Sequence, residues 1–213
     1  MQLCCKKLID LRQTEIKNTT MKKINLLLAL GVFSMLFITS CEKDEPEDPI
    51  IPNEEEVITT LNFTLTPDGG GTPVVLSFQD LDGDGGNAPT ISEGTLDNNT
   101  IYNGSLELLN ELEDPAEDIT LEVAEEELEH QFFYETLFPT ELSDVNIAYN
   151  DLDEEGNPIG LSTVLTTGEM GSGTITVTLR HEPNKDAAGV SSGDIANAGG
   201  ETDIEVTFNV EIQ

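Results

Sequence analysis

Basic residues are scarce in this chain. Of 213 residues, nine are Lys or Arg against 42 Asp and Glu, a formal net charge of −33. Binding nucleic acid requires a basic patch that neutralises phosphates, so that class is excluded. Docking onto anionic headgroups through protein charge is disfavoured for the same reason. There is no Trp, and aromatics make up 5% of the chain. Paired carboxylates can hydrolyse glycosides, but sugar clefts commonly stack their substrate on aromatic rings. The single aromatic cluster, Phe132, Phe133, Tyr134 and Phe138, reads as core filling. Three Cys do not make a disulfide framework, and two His leave little room for catalysis by several imidazoles. A His-Glu-x-x-His pair and a P-loop are both missing. The chain is expected to be non-enzymatic.

Long apolar runs are also rare. Ile24 to Ile38 forms one, behind the basic Met21-Lys22-Lys23 and ahead of Thr39-Ser40-Cys41. It is shorter than the roughly 20 residues that span a bilayer comfortably. Its order of basic, apolar and small residues reads as a secretory signal peptide over 21–40, with 1–20 as an upstream extension. Ile38-Thr39-Ser40-Cys41 resembles a bacterial lipobox. That resemblance implies that Cys41 receives a diacylglyceryl group and becomes the mature N-terminus, stably anchored by several acyl chains. Six of the nine basic residues and only two of the acids precede Cys41, so the remainder holds three basic residues against 40 acids. Cys4 and Cys5 fall before the cut, which leaves the mature chain without a free thiol. Glu42-Lys43-Asp44-Glu45 resembles the Lys-plus-acidic signal that exports lipoproteins of Bacteroidota-type bacteria to the cell surface; a periplasm-facing position is the alternative. The stretch 41–56, with Pro46, Pro49, Pro52 and Glu54-Glu55-Glu56, reads as an extended, self-repelling tether.

From Val57 to Gln213 the pattern is alternation of apolar and polar residues between Gly/Asn/Asp/Pro turns. Leu61–Leu65, Val74–Phe78, Ile101–Leu109, Gln131–Glu135, Val145–Tyr149, Leu161–Thr166, Thr174–Leu179 and Ile204–Ile212 are expected strands. Roughly eight strands point to an all-β domain, an antiparallel sandwich or a small barrel. Phe78-Gln79-Asp80-Leu81-Asp82 and Tyr149-Asn150-Asp151-Leu152-Asp153 open similar Asp-Gly-Asn-Pro stretches, which suggests two four-strand halves, 57–138 and 139–213. A short helix is expected in each half, one capped by Asp114 ahead of Pro115, one capped by Ser192 over 193–198. Without βα alternation, a two-lobed solute-binding fold is not supported.

Two constellations offer ligand chemistry. Asp80-x-Asp82-x-Asp84-Gly85 resembles the first half of an EF-hand calcium loop, which converges alternate carboxylates on one ion. The twelfth position is Ile91 where that loop needs a bidentate Glu, so a β-type calcium loop completed by Asn87 or Glu93 stands beside an acidic turn that binds nothing. Asp151-x-Asp153-x-Glu155 is a weaker second copy. The other constellation is imidazole with carboxylates: Glu126 and His130 four apart, and His181-Glu182 at a strand end. Two His with carboxylates are plausible ligands for zinc, copper or iron.

Taken whole, the lipobox, Lys43-Asp44-Glu45 and the acidic β-domain resemble small lipoproteins of the Bacteroidota-type outer membrane, whose members sometimes carry the catch-all label "type 1 periplasmic binding fold". The resemblance implies a lipid-anchored envelope protein working beside a TonB-dependent receptor. The expected role is capture of a metal ion or metal complex. A surface module rigidified by calcium is the alternative.

Overall fold

Alternation turns into eleven strands among the described residues, which the computed structural model places at 56–83, 86–139 and 145–213. The extension, the signal segment, Cys41, the tether to residue 55, and Asp84 with Gly85 lie outside them. In chain order the elements are β1 (Thr60–Pro67), β2 (Val74–Gln79), β3 (Thr90–Ile91), β4 (Gly94–Leu96), β5 (Ile101–Asn110) and β6 (Glu117–Asp118). Then follow α1 (Ile119–Glu125), β7 (His130–Leu137), β8 (Asn146–Tyr149), β9 (Ser162–Thr166), β10 (Gly171–His181) and β11 (Glu201–Ile212). None of the described helices is long and apolar enough to cross a membrane.

The strands form two sheets. The larger runs β3-β2-β1-β5-β9-β8, with β6 also on β5, and the smaller runs β4-β11-β10-β7. Every pairing is antiparallel except β4 on β11. Period two aims one side of each strand inward. Leu61, Phe63 and Leu65 of β1 meet Phe132 of β7, Val177 of β10 and Phe208 of β11 in one buried core shared by both sheets. The Phe63 and Tyr134 rings touch across it, centroids 5.5 Å apart. Phe133 faces the other side of the smaller sheet, where Val190 and Ala198 cover it.

Several sequence expectations need correction. Neither sheet closes into a barrel, and the sandwich is not built from two similar four-strand halves. β4 and β7 leave the first half for the smaller sheet, while β8 and β9 of the second join the larger one. The recurring Asp, Gly, Asn and Pro are the chemistry of turns, and turn chemistry does not choose a strand's partner. The first helix starts later than expected, because Glu117–Asp118 pairs with β5 and Ile119 and Val123, four apart, are buried. Its cap is Asp118, whose carboxylate accepts a hydrogen bond from the Thr120 N–H at 3.1 Å. The second helix is two short 3-10 turns, Val190–Ser192 and Ile195–Asn197. Gly189 and Gly193, at φ 90° and 92°, bracket the first, and Asp194 rather than Ser192 caps the second.

Phe63 is fully buried, so Phe63→Ala is expected to destabilise the domain by about 3–5 kcal/mol. Thr66→Ala on the exposed side of β1 should stay within about 0.5 kcal/mol. Urea unfolding of both variants measures the contrast.

Candidate metal centre

The two histidines meet at one end of the smaller sheet. His130 opens β7, His181 closes β10, and the ladder sets them directly opposite each other. Both continue the inward parity of their strands, that of Phe132 and of Leu179. Their ring centroids are 4.8 Å apart, with planes at 45°. β11 supplies a third group through a bulge. Leu179 pairs with Ile204 and Arg180 with Thr202, so Asp203 is the extra residue between them. Strict alternation would aim Asp203 outward with Glu201 and Glu205; the bulge turns it in toward the imidazoles. Glu56, just ahead of β1, reaches in from the larger sheet.

The four side chains converge. His130 Nε2 stands 3.1 Å from Glu56 Oε1 and 3.8 Å from Asp203 Oδ2. His181 Nδ1 stands 3.8 Å from Glu56 Oε2 and 3.7 Å from Asp203 Oδ1. One donor atom from each residue lies within 4.8 Å of all the others. A tetrahedral ion with bonds of about 2.0–2.1 Å separates its ligand atoms by about 3.3 Å, close to these spacings. The side chains of His130 and Asp203 are 0% exposed, Glu56 5% and His181 7%. Although His130 Nε2 is near Glu56, the contact lacks hydrogen-bond alignment. Nε2 and Glu56 Oε2 are buried without a hydrogen-bond partner among the described residues. These two buried atoms, set beside donors of His181 and Asp203, are ones a cation would complete.

The surroundings orient the rings. Nδ1 of His130 lies 3.3 Å from the Glu126 carbonyl at the C-terminal end of α1. A proton on Nδ1 donated to that oxygen leaves the Nε2 lone pair facing the carboxylates, the arrangement that fixes a metal-binding tautomer. Two carboxylates with two neutral imidazoles carry a charge of −2, matched to a divalent ion. Two nitrogen donors in a set of four suit a first-row transition metal; calcium takes about six to eight oxygens. Burial pushes His130 down, but the Glu56 carboxylate, with Asp203 behind it, outweighs this and holds the imidazolium above its ordinary range. Burial likewise pushes Glu56 up, and the two histidines, His130 foremost, bring it below the usual carboxylate range.

The other anticipated ligands lie elsewhere. Glu126 Oε2 is 3.9 Å from His130 Nδ1 and half-exposed, beside the centre rather than in it. Glu182 joins Glu129 and His181 in a second, more exposed group of donors. Asp80 Oδ1 accepts from the N–H groups of Asp82 and Gly83, and Asp82 Oδ2 accepts from the backbone and side-chain N–H of Asn87. Asp151 caps Gly160 and Ser162 through their N–H groups. Asp153 accepts from the Glu155 and Asn157 N–H groups, and its other oxygen holds the buried Lys185 ammonium at 2.9 Å. Glu155 is exposed. Among the described residues, neither Asp loop contributes to a donor cluster, and nothing points specifically to calcium. Sequence reading missed Glu56 and Asp203. Glu56 is one of three consecutive Glu, and the outward parity of Asp203 concealed it. Comparison with family models, curated proteins and solved structures finds no match to this chain.

Linkage gives a signed pH dependence for the metal-free chain. The raised His130 contributes stability fully present below its ordinary value of 6.5 and lost as pH rises through its raised one. The lowered Glu56 contributes stability present above its ordinary value of 4.5 and lost as pH falls through its lowered one. In chelator, the advantage of the native chain over His130→Gln should be greatest in mildly acidic buffer and shrink toward alkaline pH. Melting temperatures of both across pH check this; a constant difference would count against the charged pair.

Proposed function

We propose that this chain is a non-enzymatic, lipid-anchored binding protein of the bacterial cell envelope that captures a divalent transition-metal ion, zinc fitting best, for a neighbouring outer-membrane transporter. The observation that carries this reading is the convergence of Glu56, His130, His181 and Asp203, buried and within 4.8 Å of one another. Its enclosure favours a bare ion over a metal complex. Four protein donors complete a tetrahedral shell, whereas catalytic zinc keeps one position for water; this supports binding rather than catalysis. The absence of thiol ligands after Cys41 favours zinc or iron over soft Cu(I). Anchoring rests on the ordered signal segment and the lipobox-like Ile38-Thr39-Ser40-Cys41. Surface display and a TonB-dependent partner rest on the resemblance of Lys43-Asp44-Glu45 to an export signal.

Calorimetry on the full chain should register one Zn2+ bound at micromolar concentration or tighter, and no binding in His130→Ala/His181→Ala. Silence with zinc, iron and copper, together with a large melting shift from calcium alone, would sink the proposal in favour of a calcium-rigidified module. Anchoring is tested separately. Cys41→Ser should move the protein from the membrane fraction to the soluble fraction of expressing cells; a variant that stays with the membrane is not held there by a lipid on Cys41.

A further inference from the structure

The inner centre is almost closed to solvent, with side-chain exposures from 0% to 7%. A hydrated ion entering it has to exchange its waters for protein donors on the way. The residues one step beyond the histidine rung lie where that exchange can begin. Glu129 precedes His130 and Glu182 follows His181; both are exposed. The ladder continues through them, since the Glu182 N–H donates to the Glu129 carbonyl at 2.6 Å. Glu182 adopts φ 49°, so the chain turns sharply here as β10 ends. Glu129, Glu182 and the His181 ring each bring a donor atom within 4.8 Å of the other two. His181, itself buried, is therefore common to both donor groups.

We propose that Glu129, Glu182 and His181 form an outer loading site, where a hydrated divalent transition-metal ion is first held before it passes into the inner centre. This rests on the metal-capture reading above. Two exposed carboxylates and one imidazole supply three ligands and leave the other positions to water, a weak, open site. The inner group supplies four ligands in a dry environment, where charge interactions are stronger. An ion at the outer group is already within reach of the inner one through the shared imidazole, so it need not be stripped of all its waters at once. The gradient runs from wet and three-ligand to dry and four-ligand. Because the same path serves entry and exit, weakening the outer site slows both directions equally and leaves the inner equilibrium unchanged.

The test is stopped-flow uptake of Co2+ by the full metal-free chain, followed by its visible absorption, and release to excess chelator. Glu129→Gln/Glu182→Gln should slow uptake and release together by about tenfold or more, the lower range of electrostatic effects on association, and reach the same final absorbance. Glu169→Gln/Glu211→Gln removes equal charge at the opposite end of β10 and β11 and should load at the native rate. Native kinetics in Glu129→Gln/Glu182→Gln overturn the loading site alone. So does slowing of both pairs, which would make the effect one of net charge. A loss of final occupancy would also overturn it, by making these residues part of the inner shell. No uptake by the unaltered chain overturns the capture reading and the loading site together.

Discussion

Strand register is the constraint from which the rest of this structure follows. The two sheets share one core, and burying it fixes which residues of every strand face inward, because a slip of one residue would turn the whole apolar set to solvent. Ile175, Val177 and Leu179 are held inward on β10, so His181 must follow them. Phe132 is held inward on β7, so His130 must share its side. The pairing of β7 with β10 then sets the two histidines opposite each other. An arrangement of costly buried polar groups thus sits on a scaffold stabilised by hydrophobic burial elsewhere.

The bulge at Asp203 is the one departure from that regularity, and it falls at the centre. One additional residue in β11 lets Asp203 and Ile204 both turn inward, which brings a carboxylate to the histidine pair without displacing the core residues that follow. Glu56 balances it from the segment that leads into β1 of the larger sheet. In the absence of a metal the Glu56 and Asp203 carboxylates favour the protonated form of His130; a divalent ion would compete with that proton. The buried Lys185–Asp153 pair solves a similar problem elsewhere, with a protein cation bound by a carboxylate and by the Pro158 and Glu127 carbonyls.

Much of the fold was legible because period two is a local signal. All eight anticipated strands occur, with ends shifted by a few residues, and the short β3, β4 and β6 escaped because two or three residues carry no readable period. Two of the four donors of the inner cluster were also legible, since His130 and His181 are the only imidazoles and each sits at a strand end with acids beside it. The Asp-rich loops drew attention by composition, yet the carboxylates of Asp80, Asp82, Asp151 and Asp153 are engaged by backbone N–H groups and by Lys185. Alternate carboxylates serve a turn as readily as an ion. Only partners distant in sequence distinguish the two.

By itself, the scarcity of basic residues argued against a nucleic-acid partner, and alternation determined that the chain is built of strands. Both are properties of composition and of neighbours along the chain. The choice between a repeat and an interleaved sandwich was made by tertiary structure, because pairing joins strands far apart in sequence. The same holds for the centre. Selecting Glu56 and Asp203 from 42 acids required a bulge and the approach of a second sheet, and neither leaves a local trace in the residues that they position.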